Sequence, residues 1–271
     1  MLAGSGRRAM SDDAIAPMTL YSWLNRGWRL ATTGFCFGMF SLGGLLLSLV
    51  WFNLLLLMPC GALRRRQLAR RSISASFRFF LWCVRTLGVL DYKIEGVETL
   101  RKDRGCLIVA NHPTLIDYVM LASVMPEVDC LVKAELQKNV FFRGVIRSAD
   151  YLINSQSYTL LPECERRLKR GEAIMIFPEG TRTDPGRPLV LQRGAANIAV
   201  RCGCDLRIVH IRSTQQTLGK HDRWYHIPRV KPFLTVTVQE RIRSQDFVGQ
   251  GDEPSLAARR LTRFLRDSLT R

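Results

Sequence analysis

The chain has 271 residues, enough for one large domain and a small appendage, and its 47% apolar content is that of a packed protein. Forty basic residues against 23 acidic ones leave a formal charge of +17, which points to an anionic partner: nucleic acid, an anionic membrane surface or a phosphorylated substrate. The eight cysteines form no C-x-x-C pair, and Cys202, Cys204 and His210 match no common zinc spacing, so neither a metal nor a disulfide framework is expected and the compartment reads as reducing.

Residues 1–28 read as an N-terminal tail. Residues 29–63 read as a membrane anchor, because no charged residue falls between Leu30 and Leu63. Those 34 positions exceed the roughly 20 that a spanning helix needs. One tilted span fits, and so do two shorter helices broken near Gly43-Gly44. Arg64, Arg65, Arg66, Arg70, Arg71 and Arg78 follow the run, and Arg7, Arg8, Arg26 and Arg29 precede it. The heavier cluster lies on the C-terminal side, so the following domain is expected in the cytoplasm, at a bacterial inner membrane. Arginines beside an apolar run also suit lipid head groups better than nucleic acid, and no zinc-finger or RNA-binding signature accompanies them.

Residues 64–89 read as a basic amphipathic helix with Phe77, Phe80, Leu81, Val84 and Leu87 on one face and Gly88 at its end. Residues 90–271 read as the main domain. Strands are expected at Leu90–Gly96, Cys106–Ala110, Asp129–Lys133, Tyr151–Ile153, Ala173–Phe177 and Leu206–Ile211, with an edge strand at Phe233–Val238. Helices are expected at Thr114–Met125, Asn139–Ile146, Ser157–Arg170, Gln192–Cys202 and Pro254–Arg271. This alternation predicts an α/β fold with a mixed central sheet flanked by helices, and ligands at the carboxyl ends of its strands. The last helix, with Ala257, Leu261, Phe264, Leu265 and Leu269 on one face, is expected to pack on its own domain.

Two motifs follow strands. In Asn111-His112-Pro113-Thr114-Leu115-Ile116-Asp117, five positions of helix turn by about 140°, so His112 and Asp117 meet only if the histidine lies outside the helix. Pro113 disfavours helix at His112. Thr114 fits an N-cap with Asp117 three residues later. The stretch is therefore either a capped helix start or a catalytic pair in which Asp117 orients His112 and His112 takes a proton from a substrate hydroxyl. In Phe177-Pro178-Glu179-Gly180-Thr181-Arg182, Gly180 permits a tight turn and Arg182 suits a phosphate, with Glu179 on that arginine or on a substrate hydroxyl.

Together the two motifs resemble the glycerophospholipid acyltransferases, the family that includes the 1-acylglycerol-3-phosphate O-acyltransferases. Lys133-Ala134-Glu135-Leu136 and Leu191-Gln192-Arg193-Gly194 add to the likeness, which covers roughly residues 90–240. The resemblance implies transfer of a fatty acyl group from acyl-CoA or acyl carrier protein to a lysophospholipid hydroxyl at a membrane, with no further cofactor. It makes His112 the general base, Asp117 its partner, and Glu179, Gly180, Thr181 and Arg182 the acceptor site, joined by Lys133 and Asn154. The sequence departs from the family where Asn154 and Ser155 replace an Asp-Arg pair that helps hold glycerol phosphate, and where His210 replaces a proline. Arg143 or Arg147 is then the expected substitute cation, and an acceptor without glycerol phosphate, such as an amino-acid lysolipid or a polyene-type lipid, becomes the alternative. A non-catalytic membrane-binding homologue is a third reading.

Overall fold

Two long helices precede the sheet in the computed structural model, which describes residues 20–154, 159–184 and 186–270. Most of the expected tail, along with Ser155 and the start of the helix expected from Ser157, lies outside the described residues. Helix α1, Leu20–Leu46, continues through a π-helical turn, Leu47–Trp51, into α2, Phe52–Leu57. The helix therefore begins before the expected boundary at residue 29, and it does not break at Gly43-Gly44. From Trp23 to Leu57 it is long and apolar enough to cross a membrane.

One stripe of this helix faces the protein: Arg29, Thr33 and Cys36 are buried, Phe40 and Leu47 partly so, then Phe52 and Leu55 fully. The π turn keeps that stripe in line. Its i→i+5 bonding, seen as Phe52 N–H donating to the Leu47 carbonyl, returns Phe52 to the face of Leu47. The opposite side stays open, with Phe35, Leu42, Leu46, Leu49 and Leu57 exposed.

Helix α3, Ala62–Thr86, returns along α1 and buries Ile73, Phe77, Phe80, Leu81 and Val84. Gly88 ends it in the left-handed region. The Val89 N–H reaches the Val84 carbonyl and the Gly88 N–H the Arg85 carbonyl, the double bond of a Schellman cap. Several arginines of α3 find partners within the protein, although Arg64, Arg71 and Arg78 remain exposed. Arg70 pairs with Asp129 at 2.9 Å and Arg66 with Glu172 at 2.6 Å, while Arg71 pairs with Glu127 at 2.5 Å and Arg78 donates to the Ser123 carbonyl. Charges read in sequence as lipid-facing thus tie α3 to the rest of the molecule.

Seven strands follow in the order β1-β7-β6-β2-β5-β3-β4. They are β1 (Asp91–Glu95), β2 (Cys106–Ala110), β3 (Asp129–Lys133), β4 (Leu152–Asn154), β5 (Ile174–Ile176), β6 (Asp205–Ser213) and β7 (Phe233–Ile242). All neighbours pair in parallel except β6 and β7. The sheet is therefore mixed, as expected. The strand expected at the edge, β7, lies between β1 and β6; its alternation records burial of Leu234 and Val236 on one face, not an edge position. Between the strands lie α4 (Val97–Lys102), which the sequence reading left out, α5 (Asp117–Val124), α6 (Val140–Ala149), α7 (Leu160–Lys169) and α8 (Gly194–Cys202), and α9 (Pro254–Thr270) closes the chain.

Strand β2 shows how the two cores form. Cys106, Ile108 and Ala110 face the layer built from α1, α3 and α5, whereas Leu107 and Val109 face α7, α8 and α9. Helix α9 packs on its own domain through Ala257, Ala258, Leu261, Leu265 and Leu269.

Candidate active site

Strands β2, β5, β3 and β4 are neighbours and parallel, so their carboxyl ends share one rim of the sheet. His112 follows β2 and Glu179 follows β5; Lys133 ends β3 and Asn154 ends β4, paired in register with each other.

His112 Nδ1 lies 2.8 Å from Asp117 Oδ2. Asp117 begins α5 and is fully buried. The capped start differs in detail from the expected one. The helix begins at Asp117, not Thr114, and Thr114 donates twice: its N–H to Oδ2 at 2.7 Å and its hydroxyl to Oδ1 at 2.5 Å. The helix's own N-cap position, Ile116, carries no side-chain bond; the bonds that close the turn instead fix the Asp117 carboxylate beside the imidazole. Burial pushes the Asp117 carboxyl above its ordinary range, and His112 and Thr114 pull against that rise. With the Nδ1 proton donated to Asp117, Nε2 is left as the acceptor. The ring stacks on Phe177, centroids 4.4 Å apart, and remains partly exposed.

Glu179 points neither at Arg182 nor into open space. Its Oε1 accepts the His112 backbone N–H at 2.7 Å, and its Oε2 accepts the Thr183 hydroxyl. The Thr183 N–H in turn donates to the His112 carbonyl at 3.0 Å. The carboxylate thus clips the loop after β5 to the loop after β2. Burial raises its pKa too, opposed by the Thr183 and His112 donors. Gly180 has φ +68°, and a Cβ there would come within 2.8 Å of the Gln192 side chain. Arg182 donates through one nitrogen to the carbonyls of Leu218 and Gly219, at 2.9 and 2.8 Å.

A cavity of about 1100 Å³ runs beneath α1, and neither Asp117 nor Glu179, which stand behind the His112 loop, is among its lining residues. His112, Gly180, Thr181, Arg182, Lys133 and Asn154 all reach it. Its remaining wall is mainly apolar and aromatic, with Phe40, Phe77 and Phe80 among its side chains. Arg143 and Arg147, the expected substitute cations, are exposed on α6 and do not line it.

Residues 91–212 match the sequence model of the family described as Acyltransferase. That stretch is therefore similar to an acyltransferase domain. Over 135 residues it is 28% identical to a 1-acyl-sn-glycerol-3-phosphate acyltransferase of Pseudomonas aeruginosa, covering 46% of this chain and 51% of that one. Over 133 residues it is 31% identical to 1-acyl-sn-glycerol-3-phosphate acyltransferase beta of Homo sapiens, covering 44% and 47%. It spans about half the length of these curated relatives. The crystal structure of the 1-acyl-sn-glycerophosphate acyltransferase PlsC from Thermotoga maritima shares the fold, with a TM-score of 0.63 at 23% identity over 92% of this chain and 98% of that one.

Some site-building residues escaped the sequence reading. Asn111 zips the end of β2 to β6, donating to the Ile211 carbonyl at 2.8 Å and accepting the Ile211 N–H at 2.6 Å. Leu218, at φ +51°, offers its carbonyl both to Arg182 and to the Leu115 N–H. Tyr118 and Tyr151 join through their hydroxyls at 2.6 Å in the cavity wall. Only Asn111 had a local signal, its place in the first motif.

Proposed function

We propose that the protein is a membrane-associated O-acyltransferase. It moves a fatty acyl group from acyl-CoA or acyl carrier protein to the free hydroxyl of a lysophospholipid such as 1-acylglycerol-3-phosphate. The supporting observation is the His112–Asp117 pair opening into a large apolar cavity. His112 Nε2 takes the acceptor's hydroxyl proton as its oxygen attacks the thioester carbonyl. The new C–O bond forms, the C–S bond breaks, and the imidazolium returns its proton to the departing thiolate. Asp117 holds the tautomer and stabilises the imidazolium. No nucleophile from the protein is needed.

Membrane association is supported by the unpartnered apolar side of α1 and α2 and by Phe79 and Trp82, exposed on α3. Glu179 serves as a positioning residue, because its carboxylate fixes the backbone of His112. A second reading keeps the chemistry but changes the acceptor. It rests on Asn154-Ser155, where the resemblance leads one to expect a phosphate-binding arginine.

The test is thiol release from acyl-CoA in the presence of 1-acylglycerol-3-phosphate. The wild type turns over, and His112→Ala loses about 10³- to 10⁴-fold. Undiminished turnover by His112→Ala overturns the mechanism. Turnover only with an uncharged or amino-acid lysolipid selects the second reading.

A further inference from the structure

Among the described residues, three arginines are more than nine-tenths buried: Arg29, Arg70 and Arg167. Arg70 and Arg167 both grip the carboxylate of Asp129. Arg29 is the exception. It sits in the apolar helix α1 with 5% of its surface exposed, and no carboxylate pairs with it among the described residues. One terminal nitrogen donates to the carbonyls of Pro228 and Arg229, at 2.9 and 3.3 Å, and the buried Nε–H of Arg29 has no acceptor among the described residues.

An uncompensated guanidinium in such a place is costly, and holding two loop carbonyls needs only a neutral donor. The surroundings say what the charge faces. Arg29 lines the cavity that also takes in His112 and Arg182. Thr33 and Cys36, one and two turns further along the same face of α1, line it too. The 214–232 segment closes this side: its Trp224 packs against Gly34, and its Leu218 and Gly219 carbonyls hold Arg182. On its other side Arg29 borders a hollow of about 560 Å³ shared with Arg229 and with Lys231, whose charge is met by Asp91 at 2.7 Å, so among the described residues no carboxylate there is left to face Arg29.

We propose that Arg29 binds a phosphate oxyanion of a substrate lying in the cavity. The proposal rests on the acyl-transfer reading and deepens it: the helix that carries the apolar face also carries a substrate-binding cation. A phosphate there would satisfy the idle Nε–H and neutralise the buried charge, through the forked contact that guanidinium favours. Two sources supply that chemistry, the phosphate of the acceptor and the phosphates of the acyl donor's carrier.

The experiment compares full-length wild type, Arg29→Gln and Arg29→Lys on two substrate pairs. The acceptor pair is 1-acylglycerol-3-phosphate against 1-acylglycerol. The donor pair is acyl-CoA against the acyl thioester of N-acetylcysteamine. Arg29→Gln should lose roughly 10- to 100-fold in kcat/KM on the phosphate-bearing member of one pair, carried by KM, with a smaller change on its uncharged counterpart. Arg29→Lys should recover part of that loss. The pair that responds names the source. An unchanged enzyme, or an equal loss on all four substrates, overturns the proposal, since a structural role alone would not discriminate by charge. If Arg29→Gln does not fold, Arg29→Lys decides: a selective rise in KM for a phosphate-bearing substrate supports the assignment, and an equal or absent rise refutes it. A wild type inactive on every combination removes acyl transfer to a glycerol-based acceptor, and the assignment of Arg29 falls with it.

Discussion

Asp117 is a carboxylate held where carboxylates are uncomfortable. Its pKa lies above the ordinary 3.8 because burial outweighs its donors, so the native protein binds that proton more tightly than the unfolded chain does. The linked stability is fully present below pH 3.8 and is lost as pH rises through the raised native value. Asp117→Asn removes this loss while its amide still serves Thr114. At pH 7 the variant should melt no lower than the wild type, with the gap closing towards pH 4, whereas thiol release falls about 10⁴-fold. Melts from pH 4 to 8 beside turnover assays check both halves, and a variant that melts well below the wild type at pH 7 would contradict the account. Glu179 allows a different contrast. Glu179→Gln can still accept the His112 N–H and donate to Thr183, so it should keep most activity. Glu179→Ala unclips the two loops and should lose roughly 100-fold in kcat with little change in KM. A Gln variant as weak as the Ala variant would give the charge itself a role in substrate binding. The difference in legibility has a physical cause. His112 and Asp117 are five residues apart, and local stereochemistry around Pro113 fixes their meeting. Glu179 acts across 67 positions of chain, and Arg182 spends donors on carbonyls 36 and 37 positions away. Nothing in the local sequence of FPEGTR encodes those partners.

At the level of elements, α6 and the π turn of the apolar helix meet closely at Gly144. A Cβ on Gly144 would overlap the Ser48 side chain, so the two helices meet only because position 144 lacks one. Gly144→Ala gains helix propensity, yet it forces the helices apart. A net loss of about 1–3 kcal/mol follows from overpacking, read as a lower unfolding midpoint. Ser48→Gly in the same chain should restore most of it, and failure of that rescue would place the cost elsewhere. The π turn itself was invisible in sequence. A run of leucines carries little phase information, because an apolar residue stands at nearly every position between Leu45 and Leu57 whatever the hydrogen-bond register. The Gly43-Gly44 pair misled for a related reason: glycine weakens a helix by about 1 kcal/mol, too little to break one packed against α3 and α6. Strand positions were legible because buried parallel strands are short apolar runs bounded by Gly, Asn and Pro. The order of strands was not, since β7 reaches its place between β1 and β6 through pairings 100 or more residues apart on one side and about 30 on the other.

For the whole molecule, the count of 40 basic residues, though not the net charge of +17, overstates the cations a membrane would meet. Arg66, Arg70, Arg167 and Arg207 are partnered by carboxylates inside the fold. The apolar surface, by contrast, is wholly available along Phe35, Leu42, Leu46, Leu49 and Leu57. Membrane binding should therefore have a minor electrostatic part, screened within about 10 Å at 0.1 M salt, and a major apolar part that salt does not screen. Full-length protein mixed with vesicles containing anionic lipid should stay bound when salt is raised to about 1 M, where the Debye length is only about 3 Å. Leu49→Asp with Leu57→Asp should weaken retention at every salt concentration. Each exposed leucine is worth about 1.5–3 kcal/mol on transfer, so the pair should shift partitioning by two orders of magnitude or more. Neither position carries a core contact, so the soluble variant should keep the melting temperature of the wild type and its turnover on detergent-dispersed substrate. Release of the wild type by salt alone would make the arginines the anchor after all, and would return the charge to the role that the bare composition assigns it.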